Sequence, residues 1–379
     1  MGIAILGFGV VGSGAYEILE ESGYEVKRVL DLRPFENLKG KLTSDYNDIL
    51  EDKEITVVVE AMGGLEPAHT YAVAALKAKK NVVTSNKFLM CTYYDELISL
   101  AKENGVTIRF GASVGGGIPW IFNLLRSVKS DEITKIMGIM NGTTNYILDE
   151  MDRRGKTFAD ALSAAQDLGY AERDPSADID GLDVARKTAI SASVAFGCRI
   201  KEEDVSVFSL RNVKDTDLKY IKEKLGLSLR YMGFAEKCGD KVSAAVEPTL
   251  LSSDALEAHV NENNNLISLF GKRSGRLSFY GQGAGKYPTG DTVALDVIDI
   301  LAGENGLPKG GNLSADNSAK RKKYFIRTLS GGEIKNAKSE EKIGSARYVI
   351  TEETGLKEIH DIYENLAAGG ETFVAGIED

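Results

Sequence analysis

The chain is short of the residues on which nucleophilic and metal-assisted catalysis depend. It has three histidines in 379 residues, His69, His259 and His360. None lies at zinc-ligand spacing from a cysteine or another histidine, so a zinc centre is not expected. A Ser-His-Asp or Cys-His mechanism is equally poorly supplied, and proton transfer falls to Lys, Asp, Glu or Tyr. The three cysteines, Cys91, Cys198 and Cys238, are odd in number and far apart, which implies no disulfide framework. No apolar run approaches the ~18 residues of a membrane span. Met1–Leu6 lacks a basic region and reads straight into a glycine motif, so no signal peptide is expected and the cytoplasm is the default location. Positive charge is in deficit as well: 46 Lys plus Arg against 56 Asp plus Glu, a net charge of −10. Such a chain lacks the electrostatic footprint of a nucleic-acid binder.

Glycine, by contrast, is abundant, with 40 residues against a usual ~7%. Much of it falls in loops between alternating strand and helix signals. Ile3–Leu6 is a short apolar run that ends in Gly7-Phe8-Gly9-Val10-Val11-Gly12, and a helical pattern follows to Ser22. Glu25–Asp31, Ile55–Glu60, Asn81–Thr84 and Val106–Phe110 read as further strands, with helices at Glu66–Lys80 and Tyr93–Asn104 between them. This alternation predicts an α/β fold with a doubly wound parallel sheet of the Rossmann type. After about residue 130 the pattern changes to α+β: a strand at Glu132–Met140, helices at Asn145–Arg154 and Thr157–Leu168, an acidic loop Gly169–Asp180, and a long helix Leu182–Phe196. Residues 205–284 read as short strands and helices. A glycine-rich loop Gly281–Gly290 precedes a helix Asp291–Ala302, 303–320 read as a linker, and the last 60 residues as a small α+β segment. The expected organisation is a dinucleotide-binding domain over 1–130, to which 285–320 return, a substrate-binding and dimerisation domain over 131–284, and a small C-terminal domain over 321–379.

Gly7-x-Gly9-x-x-Gly12 follows a strand and opens a helix, the context that a dinucleotide fingerprint requires. The first glycine makes the turn, the second lets the backbone approach a pyrophosphate, and the third lets helix pack on strand. Asp31 ends the second strand 19 residues beyond Gly12, where an acid binds a ribose 2′-hydroxyl and favours NAD. Arg33, two residues on, could hold a 2′-phosphate instead, so NAD and NADP both stay open. Asn86-Lys87 follows the fourth strand and points into the ligand crevice of such a sheet, or into solvent as a surface lysine. Gly111–Pro119 has four glycines that free its backbone to meet a ligand or to offer carbonyls to a hard cation, or simply form a flexible loop. Asp183 and Lys187 are i and i+4 on one helix face. The acidic loop before them and the apolar continuation Thr188–Ala195 favour a partly buried lysine over a surface ion pair. A buried lysine beside carboxylates is a good acid–base or oxyanion group.

Over about residues 1–302 the motifs and their order resemble homoserine dehydrogenase. The stretches are GFGVVG (7–12), VVVEAMGG (57–64), VVTSNK (82–87), ASVGGGIP (112–119), MNGTTNYIL (140–148), GYAERDPSADIDGLDVARK (169–187) and GQGAGKYPTGDTVALD (281–296). The resemblance implies NAD(P)-dependent hydride transfer between L-aspartate 4-semialdehyde and L-homoserine, on the branch to threonine and methionine. Lys187 resembles the catalytic lysine and Lys87 its partner, with Asp183 beside them. Glu172, Asp183, Asp178, Gly142 and Thr143 resemble substrate contacts, Glu172 and Asp183 through the substrate's ammonium group and Asp178 as a further polar residue of the site. Gly7, Phe8, Gly9, Val10, Val11, Gly12, Gly63, Lys87, Gly169, Gly283 and Gly285 resemble cofactor contacts. A monovalent cation would lie on carbonyls matching Val114, Gly116 and Ile118, but the family's usual glutamate is replaced here by Gly111. Many members carry a longer C-terminal βαββαβ module; residues 321–379 lack room for its first helix and read as a truncated, ACT-like remnant. The family also implies a homodimer or higher homo-oligomer with a small-molecule substrate and neither nucleic acid nor membrane as partner. A related amino-acid-aldehyde dehydrogenase and a non-catalytic nucleotide- or amino-acid-binding sensor are the alternatives.

Overall fold

The computed structural model describes residues 2–304, 306–308 and 310–378. They fall into two units, residues 1–132, 193–201 and 279–311 in the first and 133–192, 202–278 and 312–379 in the second.

Runs of valine and isoleucine set the first unit. The strands β1 (Gly2–Leu6), β2 (Val26–Leu30), β3 (Leu42–Thr43), β4 (Ile55–Glu60), β5 (Asn81–Thr84) and β6 (Ile108–Arg109) pair in the order β3-β2-β1-β4-β5-β6. Every pairing is parallel. Chain order therefore reverses between β1 and β4, the switch point beside which ligands bind in such sheets. Ile3, Ile5, Val29, Val57, Val59 and Val83 are fully buried, as strands covered on both faces require. The helix α1 (Val10–Glu21) packs against the helix Lys286–Leu301 through two glycines. A Cβ on Gly14 would lie 2.3 Å from the Lys286 carbonyl oxygen, and one on Gly290 2.8 Å from the Ala15 nitrogen. The sequence reading placed Gly290 in a loop; the helix instead starts at Lys286, with Pro288 in its first turn, where the missing N–H is tolerated. The helix expected from Tyr93 likewise begins earlier, at Lys87, because the Asn86 side chain accepts from Leu89 N–H and caps it; Tyr93 is a kink within it.

In the second unit, where short elements were expected, two twelve-residue strands, Leu227–Cys238 and Lys241–Ser252, pair along their whole length. They are central to an eleven-stranded mixed sheet. Residues 321–379, set apart by the sequence reading, add Tyr324–Thr328, Ala337–Ile343, Ala346–Thr351 and Thr372–Ile377 to that same sheet. Buried ion pairs tie them in. Arg327 Nε donates to Asp217 Oδ1 at 3.0 Å, both side chains almost wholly buried, and Lys322 pairs with Glu247 beneath Gly376. The helix Leu182–Phe196 lies against the strand Leu227–Cys238, close enough that a Cβ on Gly233 would reach Thr188 Oγ1 at 2.2 Å.

Candidate active site

The three fingerprint glycines answer to different constraints. Gly7 has φ +91°, and a Cβ there would meet the Ala61 carbonyl at 2.8 Å. A Cβ on Gly12 would lie 1.9 Å from the Gly7 carbonyl oxygen. A Cβ on Gly9 would meet nothing within 4 Å. The fold itself thus demands the first and third glycines, while the second leaves open space at the start of α1. No side chain caps that helix, which leaves its first N–H groups and its dipole for an anion such as a pyrophosphate. Phe8 is buried, with its ring edge-on to Tyr16 and Phe35, whereas Val10 is exposed.

Asp31 is saturated. Its Oδ2 accepts from Phe8 N–H at 2.8 Å and from Arg33 Nη2 at 2.9 Å; its Oδ1 accepts from Arg33 N and Nε, each at 3.0 Å. The Arg33 guanidinium holds this carboxyl far below the usual carboxylate range, against the opposing effect of burial. Arg33 itself remains largely exposed. At the ends of β4 and β5 a fully buried acid organises the crevice. Glu60 Oε1 accepts from Met62 N–H and Gly63 N–H, and its Oε2 accepts from Thr84 Oγ1 at 2.5 Å. Asn86, next along, donates to the Gly64 carbonyl at 2.6 Å and caps the helix on whose first residue Lys87 stands. Gly63 has φ +75° with open space beside it.

The loop Gly111–Ile118 is held by protein groups. Gly111 N–H donates to Asp296 Oδ2 at 2.8 Å, and Thr292 Oγ1 donates to the Gly116 carbonyl at 2.7 Å. Val114 and Ile118 are buried. Gly116 is needed because a Cβ there would lie 2.3 Å from the Gly283 carbonyl oxygen, and Gly285 precedes the helix with φ +133°. Burial pushes Asp296 up to about 7, opposed by the Gly111 N–H and by Arg109 at 3.7 Å. Among the described residues there is no group of three His, Cys, Asp or Glu side chains placed to hold a metal ion.

In the second unit four side chains converge. Lys187 Nζ donates to Asp183 Oδ2 and to the Met140 carbonyl, each at 2.7 Å. Asn141 Nδ2 bridges Asp183 Oδ2 at 2.9 Å and Asp178 Oδ1 at 2.7 Å. Asn141 Oδ1 meanwhile accepts from Thr144 N–H at 2.9 Å and caps the helix Gly142–Arg154. Lys187, Asp183 and Asn141 are buried. Burial, and then the neighbouring Asp183 charge, push Asp178 above its ordinary value. Thr143 Oγ1 donates to the Tyr170 carbonyl at 2.5 Å. Gly142 is packed against the Asn263 carbonyl, 2.7 Å from where its Cβ would stand. Glu172 is exposed, and its carboxyl makes no hydrogen bond or ion pair with any described residue. Gly169 has φ +75° with open space beside it. Of the residues read from the sequence, the structure brings together Asp178, Asp183, Lys187 and the Gly142–Thr143 helix start. It leaves Glu172 outside that cluster and places Lys87 in the first unit. Asn141, Glu60 and Asp296 were missed. Only Asn141 had a usable signal, an Asn before a helical pattern with Thr at the third helical position.

The family model for homoserine dehydrogenase matches residues 119–298, and that for the homoserine dehydrogenase NAD binding domain matches residues 7–111. The homoserine dehydrogenase of Bacillus subtilis is 40% identical over 314 residues, 79% of this chain and 72% of that protein. The crystal structure of a homoserine dehydrogenase from Thiobacillus denitrificans superposes with a TM-score of 0.89 at 28% identity, covering 100% of this chain and 98% of that one. A hyperthermophilic archaeal homoserine dehydrogenase mutant in complex with NADPH covers 80% of this chain and 98% of its own, with a TM-score of 0.69 at 29% identity.

Two outcomes are expected. Gly9→Ala will leave the melting temperature unchanged and weaken dinucleotide binding about tenfold or more, because its methyl enters only ligand space. Gly12→Ala, measured alongside by calorimetry and cofactor titration, will lose about 1–3 kcal/mol of stability to overpacking. The second concerns Asp296. An acid whose native pKa lies near 7 and whose unfolded pKa lies near ~4 binds more protons in the native state between those values. Its contribution to stability therefore falls as pH rises through that window. Asn in its place keeps the acceptor for Gly111 N–H without the charge. In thermal melts the advantage of Asp296→Asn over wild type will be larger at pH 8 than at pH 5; a difference independent of pH would refute this penalty.

Proposed function

The chain belongs to the homoserine dehydrogenase family, and on that premise we propose that the Asp178–Asn141–Asp183–Lys187 cluster of the second unit is its substrate and proton-transfer site, with the first unit as its cofactor platform. The reaction is NAD(P)-dependent interconversion of L-aspartate 4-semialdehyde and L-homoserine by hydride transfer, a step toward threonine and methionine. Neither a related aldehyde dehydrogenase nor a non-catalytic sensor is favoured by the matches. One observation supports the role of the cluster above the others. The Lys187 ammonium has three N–H donors, and two are committed, to Asp183 Oδ2 and the Met140 carbonyl. These fix the lysine and leave its third donor for a substrate oxygen.

When bound, the nicotinamide supplies the hydride chemistry. As the aldehyde is reduced, negative charge gathers on its oxygen, and the fixed Lys187 cation stabilises that charge and donates the proton. With Asp178 and Asp183 ionised, the two acids outnumber the lysine by one charge, which suits the substrate ammonium. Asn141, bonded to both carboxylates, sets their separation. Lys87 is a second cation for the reaction on the resemblance alone. A monovalent cation on the carbonyls of Val114, Gly116 and Ile118 draws little support, since Thr292 already donates to Gly116. We place the enzyme in the cytoplasm as a homodimer. The separated cysteines and acidic composition support the first, and the frequency of two-fold dimers supports the second. No helix among the described residues is long and apolar enough to cross a membrane.

Asp31 also supports a preference for NADP. A carboxylate has about four lone-pair positions. All four are filled by Phe8 and Arg33, so a ribose 2′-hydroxyl finds an acceptor there only if Arg33 leaves. Arg33 also offsets the charge that would repel a 2′-phosphate.

Absorbance at 340 nm with aspartate 4-semialdehyde tests both readings. Lys187→Ala will lose ~10²–10³ in kcat while its dinucleotide affinity stays at the wild-type value; a loss under tenfold would remove the lysine from the chemistry. Arg33→Ala will shift the ratio of kcat/KM for NADPH over NADH toward NADH by about tenfold or more. An unchanged ratio would show that Arg33 does not read the 2′ position.

A further inference from the structure

Away from the glycine loop, the first unit contains a cavity of about 350 Å³ that the reaction does not use. Arg109 on the edge strand β6, Phe122, Leu125, Arg126, Lys129 and Glu304 are among its lining residues. That volume lies within the usual range of small-molecule sites, and such sites pair apolar walls with a few fixed polar groups.

Three observations give the cavity a chemical preference. The first is charge. In a chain of net charge −10, three cationic side chains line one cavity beside a single acidic one. Arg126 and Lys129 are exposed, and neither forms an ion pair with a described residue. The second is Arg109. It is more than nine-tenths buried, its Nη1 donates to Asp299 Oδ2 at 3.0 Å, and its Nη2 donates to the Glu304 carbonyl at 2.5 Å. Its Nε is buried as well and has no hydrogen-bond partner among the described residues. Leaving a charged group's donor unmade in a buried position is costly, so a guanidinium with an unmade N–H among the lining residues favours an acidic ligand beside it. The third is the apolar lining: Phe122, Leu125, Val128 and Leu307 are all half-buried.

We propose that this cavity is a binding site for a small amphipathic organic anion, one whose carboxylate or phosphate meets Arg109, Arg126 and Lys129 while an apolar body lies on Phe122 and Leu125. The two exposed cations give the site its affinity, and the apolar wall distinguishes the ligand from an inorganic ion.

The test is calorimetric titration of the NADPH-saturated enzyme, so that the cofactor site is filled, with phenyl phosphate, phenylacetate, benzyl alcohol and inorganic phosphate. One-to-one binding of phenyl phosphate or phenylacetate is expected, and whichever of the two binds tighter identifies the head group. Benzyl alcohol and inorganic phosphate will each bind about tenfold more weakly or not at all. Arg126→Ala/Lys129→Ala will weaken binding of the aromatic anion about tenfold and leave turnover unchanged. The proposal is overturned if neither aromatic anion binds, if the double variant binds it as wild type does, or if inorganic phosphate binds as tightly as the aromatic anion. Retained turnover in the double variant separates a lost site from a lost fold.

Discussion

An ammonium group taken out of water must have its countercharge in place, and much of the second unit is arranged around that requirement. Lys187 stands on a helix whose neighbours on nearly every side are buried, so an isolated charge there would cost several kcal/mol. Asp183 supplies the countercharge one turn earlier, and the Met140 carbonyl supplies a second acceptor from the neighbouring strand end. That carbonyl is within reach only because the helix lies close to the sheet. The approach needs Gly233, where a methyl would strike Thr188, and Gly181, where one would strike the Tyr231 hydroxyl. Two glycines without chemistry of their own are thus conditions for placing the buried lysine. Asn141 links the same cluster to the helix Gly142–Arg154, because its amide serves the acids with the nitrogen and the helix start with the oxygen.

The first unit shows the complementary case, in which one glycine of a motif answers to no contact inside the chain. Gly7, Gly12, Gly14 and Gly290 are each fixed by backbone atoms of the protein that would meet an added Cβ. Gly9 meets nothing. A motif that reads as three equivalent letters therefore divides into two glycines fixed by packing and one that faces open space.

The parts of the fold that could be read in the sequence are those with strong local periodicity. The parallel sheet and the helix Leu182–Phe196 announce themselves through valine runs and a long apolar stretch. The strands Leu227–Cys238 and Lys241–Ser252 did not, because much of each is buried on both faces and neither alternates. The strand Ala337–Ile343 is charged and wholly exposed, so nothing apolar marks it; pairing with Ala346–Thr351 holds it in the sheet. The site divides along the same line. Lys187, Asp183 and Asp178 were legible because they lie close together in one motif, with an i, i+4 spacing between the first two. Asn141 is some forty residues away in sequence and joins them only through the tertiary fold. Glu60 was hidden in the opposite way, since an acid that ends a valine strand reads as the strand's exposed end. In the structure it is fully buried and bonded on both oxygens.

The loop Gly111–Ile118 shows how one substitution relative to a family pattern redistributes the work. An acid was expected at position 111, where this chain has glycine. A side chain cannot simply be restored there, because its Cβ would lie 2.8 Å from Asp296 Oδ2. The space is occupied by a carboxylate from another element, and that carboxylate accepts the Gly111 N–H. The missing side chain and the buried acid are therefore a single arrangement. Residue 111 has no Cβ because Asp296 fills the position, and Asp296 can be buried because Gly111 N–H and Arg109 partly offset its charge. Thr292, one turn earlier on the same helix, satisfies the Gly116 carbonyl. The helix Lys286–Leu301 thus supplies both an acceptor and a donor to a loop whose resemblance to its relatives implied a cation. In this chain the loop's geometry is secured by that helix.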